Sequence, residues 1–204
     1  MALMPSTRRE LLAAAAGVAF VSPATALAAS TAASTVPARP DPPDERLRRL
    51  LTVELLLGYC YQQVLSTAVI TPGARPVVEL QARHEQAHVH ALSVELTRLS
   101  PAGAIPVAPT GIAAADRDLA RRNATGRLGQ LQGEKDALHL LLEVERVVVG
   151  AYFVALTKLE DPRLIGLAIS IMSAEAQHEA LLGDLLYPGD AQRSVPYGLI
   201  QGTQ

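Results

Sequence analysis

Four glutamates and two histidines recur in this chain at spacings that suit metal chemistry. Glu85-Gln86-Ala87-His88 and Glu175-Ala176-Gln177-His178 are two copies of Glu-x-x-His, and each follows an upstream glutamate: Glu54 lies 31 residues before Glu85, and Glu145 lies 30 before Glu175. A tyrosine stands seven residues after each upstream glutamate, at Tyr61 and Tyr152. Residues three apart on an α-helix share one face, so each Glu-x-x-His directs a carboxylate and an imidazole at a common point. A lone Glu-x-x-His arises easily by chance. Two copies at matched repeat positions, with matched upstream glutamates, do not.

Four long helices must position these residues. Apolar periodicity and its punctuation by proline and glycine predict helices over about 44–66, 75–100, 134–158 and 161–186, with Asp161-Pro162 capping the last. The first pair is joined by a short loop, as is the second, so each pair forms an antiparallel hairpin. The connection over 101–132 is rich in Pro, Gly and Ala, with a short helix predicted near 114–122. About 30 residues at up to ~3.3 Å each easily span a helix of about 25 residues rising 1.5 Å each, so this segment can cross the length of a bundle. The expected fold is all-α: an antiparallel four-helix bundle at 44–186, made of two hairpins joined by a long crossover, with a tail at 187–204.

The six residues interrupt the apolar stripes. The first helix reads Leu50, Glu54, Leu57, Tyr61, Val64 and the second Val78, Gln81, Glu85, His88, Leu92. The third reads Leu138, Leu141, Glu145, Val148, Tyr152, Ala155 and the fourth Leu164, Ala168, Ile171, Glu175, His178, Leu182, Leu185. Core-facing carboxylates without compensation cost several kcal/mol each, so they need protons, cationic partners or metal.

Composition narrows the function classes. Of 204 residues 49% are hydrophobic and 19% charged, and tryptophan is absent. The single cysteine, Cys60, excludes an intramolecular disulfide framework and a Cys-rich zinc or iron-sulfur site. A net charge of -2 gives no broad electrostatic reason to bind nucleic acid or an anionic membrane. At the N-terminus, Ser6-Thr7-Arg8-Arg9-Glu10-Leu11-Leu12 sets paired arginines before an apolar run at 11–21, shorter than the about 20 residues a spanning helix needs. With Pro23 and Ala26-Leu27-Ala28 beyond it, the segment resembles a bacterial twin-arginine export signal over 1–28, removed from the mature chain; retention as an anchor is the alternative. The implied location is periplasmic, cell-envelope or extracellular. Residues 29–43 read as a disordered linker, because their small residues and prolines cannot bury a core.

The blocks Glu145-Arg146-Val147-Val148-Val149-Gly150-Ala151-Tyr152, Glu175-Ala176-Gln177-His178 and His84-Glu85-Gln86-Ala87-His88-Val89 are similar to the exported ferritin-like domain proteins of bacteria, over roughly 44–186. Ferritin-like di-iron and di-manganese bundles place one Glu from each of two helices beside Glu-x-x-His from each of the other two. The resemblance therefore implies two metal ions held by Glu54, Glu85, His88, Glu145, Glu175 and His178, with one histidine per metal; which carboxylates bridge stays open. Such a hard oxygen and nitrogen donor set suits iron first, with manganese or zinc as alternatives. The resemblance implies a centre reactive toward dioxygen or peroxide, of ferroxidase or oxidase type, and leaves a homo-oligomer open. The alternative is a non-catalytic bundle for stress tolerance or metal sequestration.

A competing motif overlaps the second helix. His84-Glu85-Gln86-Ala87-His88 satisfies H-E-x-x-H, in which two histidines hold zinc and the glutamate is the general base of a hydrolase. No Gly-x-x-His extension follows it, and it leaves the second Glu-x-x-His unexplained. In the ferritin-like reading His84 neighbours the site. Tyr61 and Tyr152 are expected to pack and to hydrogen-bond around the ligands. Glu143 is expected to face away as a solvated charge, Cys60 to be a small buried hydrophobe, and His90 and His139 to carry no role.

Overall fold

A computed structural model describes residues 41–195. Residues 1–28, expected to be an export signal, the expected linker up to residue 40 and the tail beyond 195 lie outside the described residues. Six α-helices follow in order: α1 (Pro43–Ser66), α2 (Arg75–Leu99), α3 (Ile112–Arg121), α4 (Glu134–Leu156), α5 (Pro162–Leu186) and α6 (Ala191–Ser194), with a 3-10 turn at Leu128–Gln130 between α3 and α4. The third and fourth predicted helices are thus α4 and α5. No helix among the described residues is long and apolar enough to cross a membrane.

Local chemistry explains the helix ends, including the small departures from expectation. Helix α1 starts at Pro43 rather than residue 44, since proline suits the first helical turn, and Asp44 and Glu45 beside it complement the helix dipole. Asp161 caps α5 by accepting a bond of 2.8 Å from the Arg163 N–H, so the helix itself starts at Pro162. Helix α4 ends at Leu156, short of 158, where the Thr157 hydroxyl donates to the Val154 carbonyl at 2.7 Å and competes with the helical pattern. The segment read as a tail contains α6, capped by Asp190. Gly183 admits it against α5: a Cβ there would sit 2.7 Å from the Ser194 Cα.

Contacts between helix ends set the directions of the four long helices. Arg46, at the start of α1, donates to the Lys158 carbonyl just past the end of α4. Thr71, just beyond α1, gives its N–H to Glu134 at the start of α4 at 2.6 Å. Helices α1 and α4 are therefore antiparallel. At the other seam Arg163, opening α5, reaches Glu95 near the end of α2, while the Gln81 side chain near the start of α2 donates to the His178 carbonyl at 3.1 Å. Helices α2 and α4 consequently run the same way, and the segment between them must return along the bundle. Ala115, Leu119, Ala124 and Leu128 bury it against the core. Asp116 fastens it by accepting from the N–H groups of Leu128 (2.7 Å) and Gly129 (3.1 Å).

The predicted stripes point inward, except that Leu185 is only half-buried. The α1–α2, α4–α5 and α1–α4 seams bring their backbones close, whereas α2 and α5 stand further apart and meet through side chains. The histidines lie at that wider seam.

Candidate metal centre

Glu54 on α1, Glu85 and His88 on α2, Glu145 on α4, and Glu175 and His178 on α5 converge at the bundle centre. All four glutamates are fully buried, and His178 is 2% and His88 9% exposed. Both imidazoles present Nδ1 to the carboxylates. His88 Nδ1 lies 2.7 Å from Glu175 Oε1, 3.6 Å from Glu85 Oε2 and 3.8 Å from Glu54 Oε2. His178 Nδ1 lies 2.9 Å from Glu175 Oε2, 3.1 Å from Glu85 Oε1 and 3.4 Å from Glu145 Oε1.

These approaches form two overlapping sets of potential donors: Glu54, Glu85, His88 and Glu175, and Glu85, Glu145, Glu175 and His178. Within each, one atom per residue lies within 4.8 Å of the others. Glu85 and Glu175 belong to both sets. The donors also fit a metal by what they lack. Glu54 Oε2, both oxygens of Glu85, Glu145 Oε2, Glu175 Oε1 and His88 Nδ1 are buried without a properly oriented hydrogen-bond partner among the described residues. His88 and Glu175 are close, yet their geometry does not make a hydrogen bond. Buried polar atoms are ordinarily satisfied, so a cluster of unsatisfied acceptors aimed at one point suits a cation.

Charge follows the same arrangement. Burial, then the charges of Glu175 and Glu85, push the pKa of Glu54 and of Glu145 well above the ordinary carboxylate value. Burial opposes ionisation of Glu175 too, but His178 and His88 outweigh it and hold that carboxyl at about 2. Burial likewise opposes the charged imidazoles, and the carboxylates override it, raising His88 to about 9 and His178 to about 12. Protons and imidazolium charge thus compensate the metal-free cluster.

A ring of further residues holds these side chains in place. Tyr61 on α1 lies 2.5 Å from Glu145 Oε1 on α4, and the Tyr152 hydroxyl on α4 donates to Glu54 Oε1 on α1 at 2.5 Å. Each tyrosine therefore serves the glutamate of the other hairpin, a crossed pairing invisible in the one-dimensional repeat. Gln81, one turn before Glu85 on the same stripe, lies 3.1 Å from the Tyr61 hydroxyl through Oε1 and donates through Nε2 to the His178 carbonyl. Its place on the apolar stripe was the available signal for it. His84 is exposed, and its Nδ1 lies 3.0 Å from Nε2 of His178, the nitrogen facing away from the carboxylates. This contact occupies His84 in a way the H-E-x-x-H ligand pattern does not require.

Glu143 faces away from the cluster, as its spacing predicts, but the solvated-charge expectation is corrected. It accepts from the N–H groups of Thr125 (3.0 Å) and Gly126 (2.8 Å) and from the Thr125 hydroxyl, anchoring the crossover to α4. Cys60 is fully buried, and burial pushes its thiol pKa far up, as suits a packing residue. Spacing did not single out Glu95 either; it is buried near the end of α2 and pairs with Arg98 at 2.9 Å and with Arg163.

No curated protein and no solved structure matches the chain. The family model described as the ferritin-like domain matches residues 45–188, which include α2, α4, α5, all of α1 beyond its first two positions, and all six clustered residues. With a helical bundle of two crossed-over hairpins and a buried Glu/His cluster able to hold metal, this chain belongs to the ferritin-like domain family.

Proposed function

We propose that the cluster is a dinuclear metal centre, with iron the foremost candidate and manganese or zinc as alternatives, in an exported protein. The observation carrying this reading is the pair of overlapping donor sets: Glu54 with His88 and Glu145 with His178 form separate ends, and Glu85 and Glu175 belong to both. Four carboxylates and two imidazoles make a hard donor set matched to iron or manganese. A redox metal bound there would supply electrons to dioxygen or peroxide, the reaction class of a ferroxidase or oxidase. The chain's own part is to orient and shield. Tyr61 and Tyr152 fix the glutamate rotamers, His84 holds Nε2 of His178 at 3.0 Å while Nδ1 of that ring faces the carboxylates, and the apolar stripes limit water at the centre.

Metal analysis of the purified chain tests the reading. Close to two metals per chain are expected, with His88→Ala and His178→Ala each lowering that number; anaerobic ferrous loading followed by oxygen should give a ferric absorbance change that Glu54→Ala abolishes. A helical protein that stays metal-free after exposure to iron, manganese and zinc would overturn it. That outcome would favour the non-catalytic bundle, a reading supported by the internal compensation of the carboxylates by His88 and His178. The zinc hydrolase reading is weaker, because Glu85 sits within both donor sets and is not free to serve as a base.

A further inference from the structure

A groove distinct from the carboxylate cluster runs between α1 and α4 and is closed by the end of α3. Its volume is about 480 Å³, within the roughly 300–1,000 Å³ usual for small-molecule sites. The floor is apolar: Val53 comes from α1, and Val147, Ala151 and Val154 come from successive turns of α4. From Val147 to Lys158 this floor extends about 17 Å at 1.5 Å per residue. Val154 is 37% exposed, so part of that apolar surface meets solvent.

The rim is cationic. Arg46, Arg49, Arg121, Arg122 and Lys158 line it with a single acid, Asp41. Arg49 takes up Asp41 at 2.9 Å and also Glu45 at 3.4 Å, and Arg121 pairs with Asp118. Arg46, Arg122 and Lys158 have no acidic partner among the described residues. Arg46 gives one N–H to the Lys158 carbonyl, while its Nε is buried without an acceptor. Burial and the Arg121 guanidinium beside it push the Arg122 pKa down, as expected of a cation left uncompensated. Three unneutralised cations thus surround one apolar floor in a chain whose net charge is -2.

We infer that this groove binds one free anionic amphiphile, a carboxylate- or phosphate-headed molecule with an unbranched apolar tail, with its head at Arg46 and Lys158 and its tail along Val53, Ala151 and Val154. Arginine matches such a head by paired charge-assisted bonds, and the floor rewards a tail that a plain inorganic anion lacks. The chain's own first 40 residues are a poorer match, because they carry three arginines and one glutamate.

Calorimetric titration of the full chain with dodecanoate, below the concentration at which it forms micelles, tests the inference. One site per chain is expected. Acetate, a head without a tail, and dodecyl maltoside, a tail without charge, should each bind at least about tenfold more weakly, a difference near 1.4 kcal/mol. Arg46→Gln, Arg122→Gln and Val154→Asp should each weaken dodecanoate by about tenfold or more with helicity and metal content unchanged, while Arg83→Gln, on the exposed face of α2, should not. Arg122→Gln and Val154→Asp decide the matter if Arg46→Gln misfolds. Equal binding of dodecyl maltoside, indifference to the folded variants, or association only with phosphatidylglycerol vesicles and not with dodecanoate would overturn it. Loss of metal binding in the cluster would leave this result untouched, so the two readings fail separately.

Discussion

At the scale of single residues, the cluster shows how outer contacts would prepare a metal ligand. A metal-ligating imidazole needs one nitrogen free and the other held, and His178 has Nδ1 among three carboxylates and Nε2 against His84. Partners of this kind typically carry about 10–100-fold in metal affinity. His84→Ala is therefore expected to weaken metal binding about 10–100-fold while two sites per chain still fill at saturation, as competition with a calibrated chelator would measure. Unchanged affinity would reduce His84 to a surface residue. If the H-E-x-x-H pattern instead held zinc, the same substitution would remove the metal as completely as His88→Ala does.

Among the elements, the crossover carries the greatest topological demand, because α2 and α4 run the same way and the chain must return between them. Few apolar residues hold it, and Asp116 and Glu143 supply much of its polar fastening. Glu143→Ala removes the acceptor of the Thr125 and Gly126 N–H groups, which water can partly replace, and should cost about 1 kcal/mol, seen as a lower denaturant midpoint. Hydrogen exchange should quicken at Thr125 and Gly126 before it does in α1 or α4. The cap of α5 makes a smaller contribution: Asp161→Ala is expected to cost about 1 kcal/mol in the same measurement.

For the whole molecule, the cluster makes stability depend on pH and metal together. Without metal, His88 is raised from an ordinary 6.5 to about 9, so its contribution is fully present below 6.5 and is lost as pH rises through 9. The raised Glu54 and Glu145 act in the same direction, since the unfolded chain releases protons that the folded one retains. Glu175, held at about 2, contributes above its ordinary 4.5 and is constant across this window. The Tm of the metal-free chain should therefore fall between pH 6.5 and 9. Metal must displace these protons, so apparent metal affinity should rise over the same range, and a pH-stat should record proton release on loading. Export belongs to this scale as well: replacing Arg8 and Arg9 with lysine should leave the precursor in the cytoplasm with its bundle folded, and unchanged export would point to another route.

Periodicity is a local property, which is why the amino-acid order alone carries so much of the bundle and of its centre. The placement of Glu54, Glu85, His88, Glu145, Glu175 and His178 on core-facing stripes follows from 3.6 residues per turn, and the two hairpins and crossover follow from loop lengths. What a helix touches depends on how it is rotated and offset against its neighbours, and that no stripe states. Tertiary structure alone assigned Glu85 and Glu175 to both donor sets and crossed Tyr61 to Glu145 and Tyr152 to Glu54. It also turned Glu143 from a surface charge into an anchor. The groove is the clearest case: Arg46, Arg122 and Lys158 belong to three separate segments, and only packing of α1, α4 and the end of α3 gathers their charges around one apolar floor.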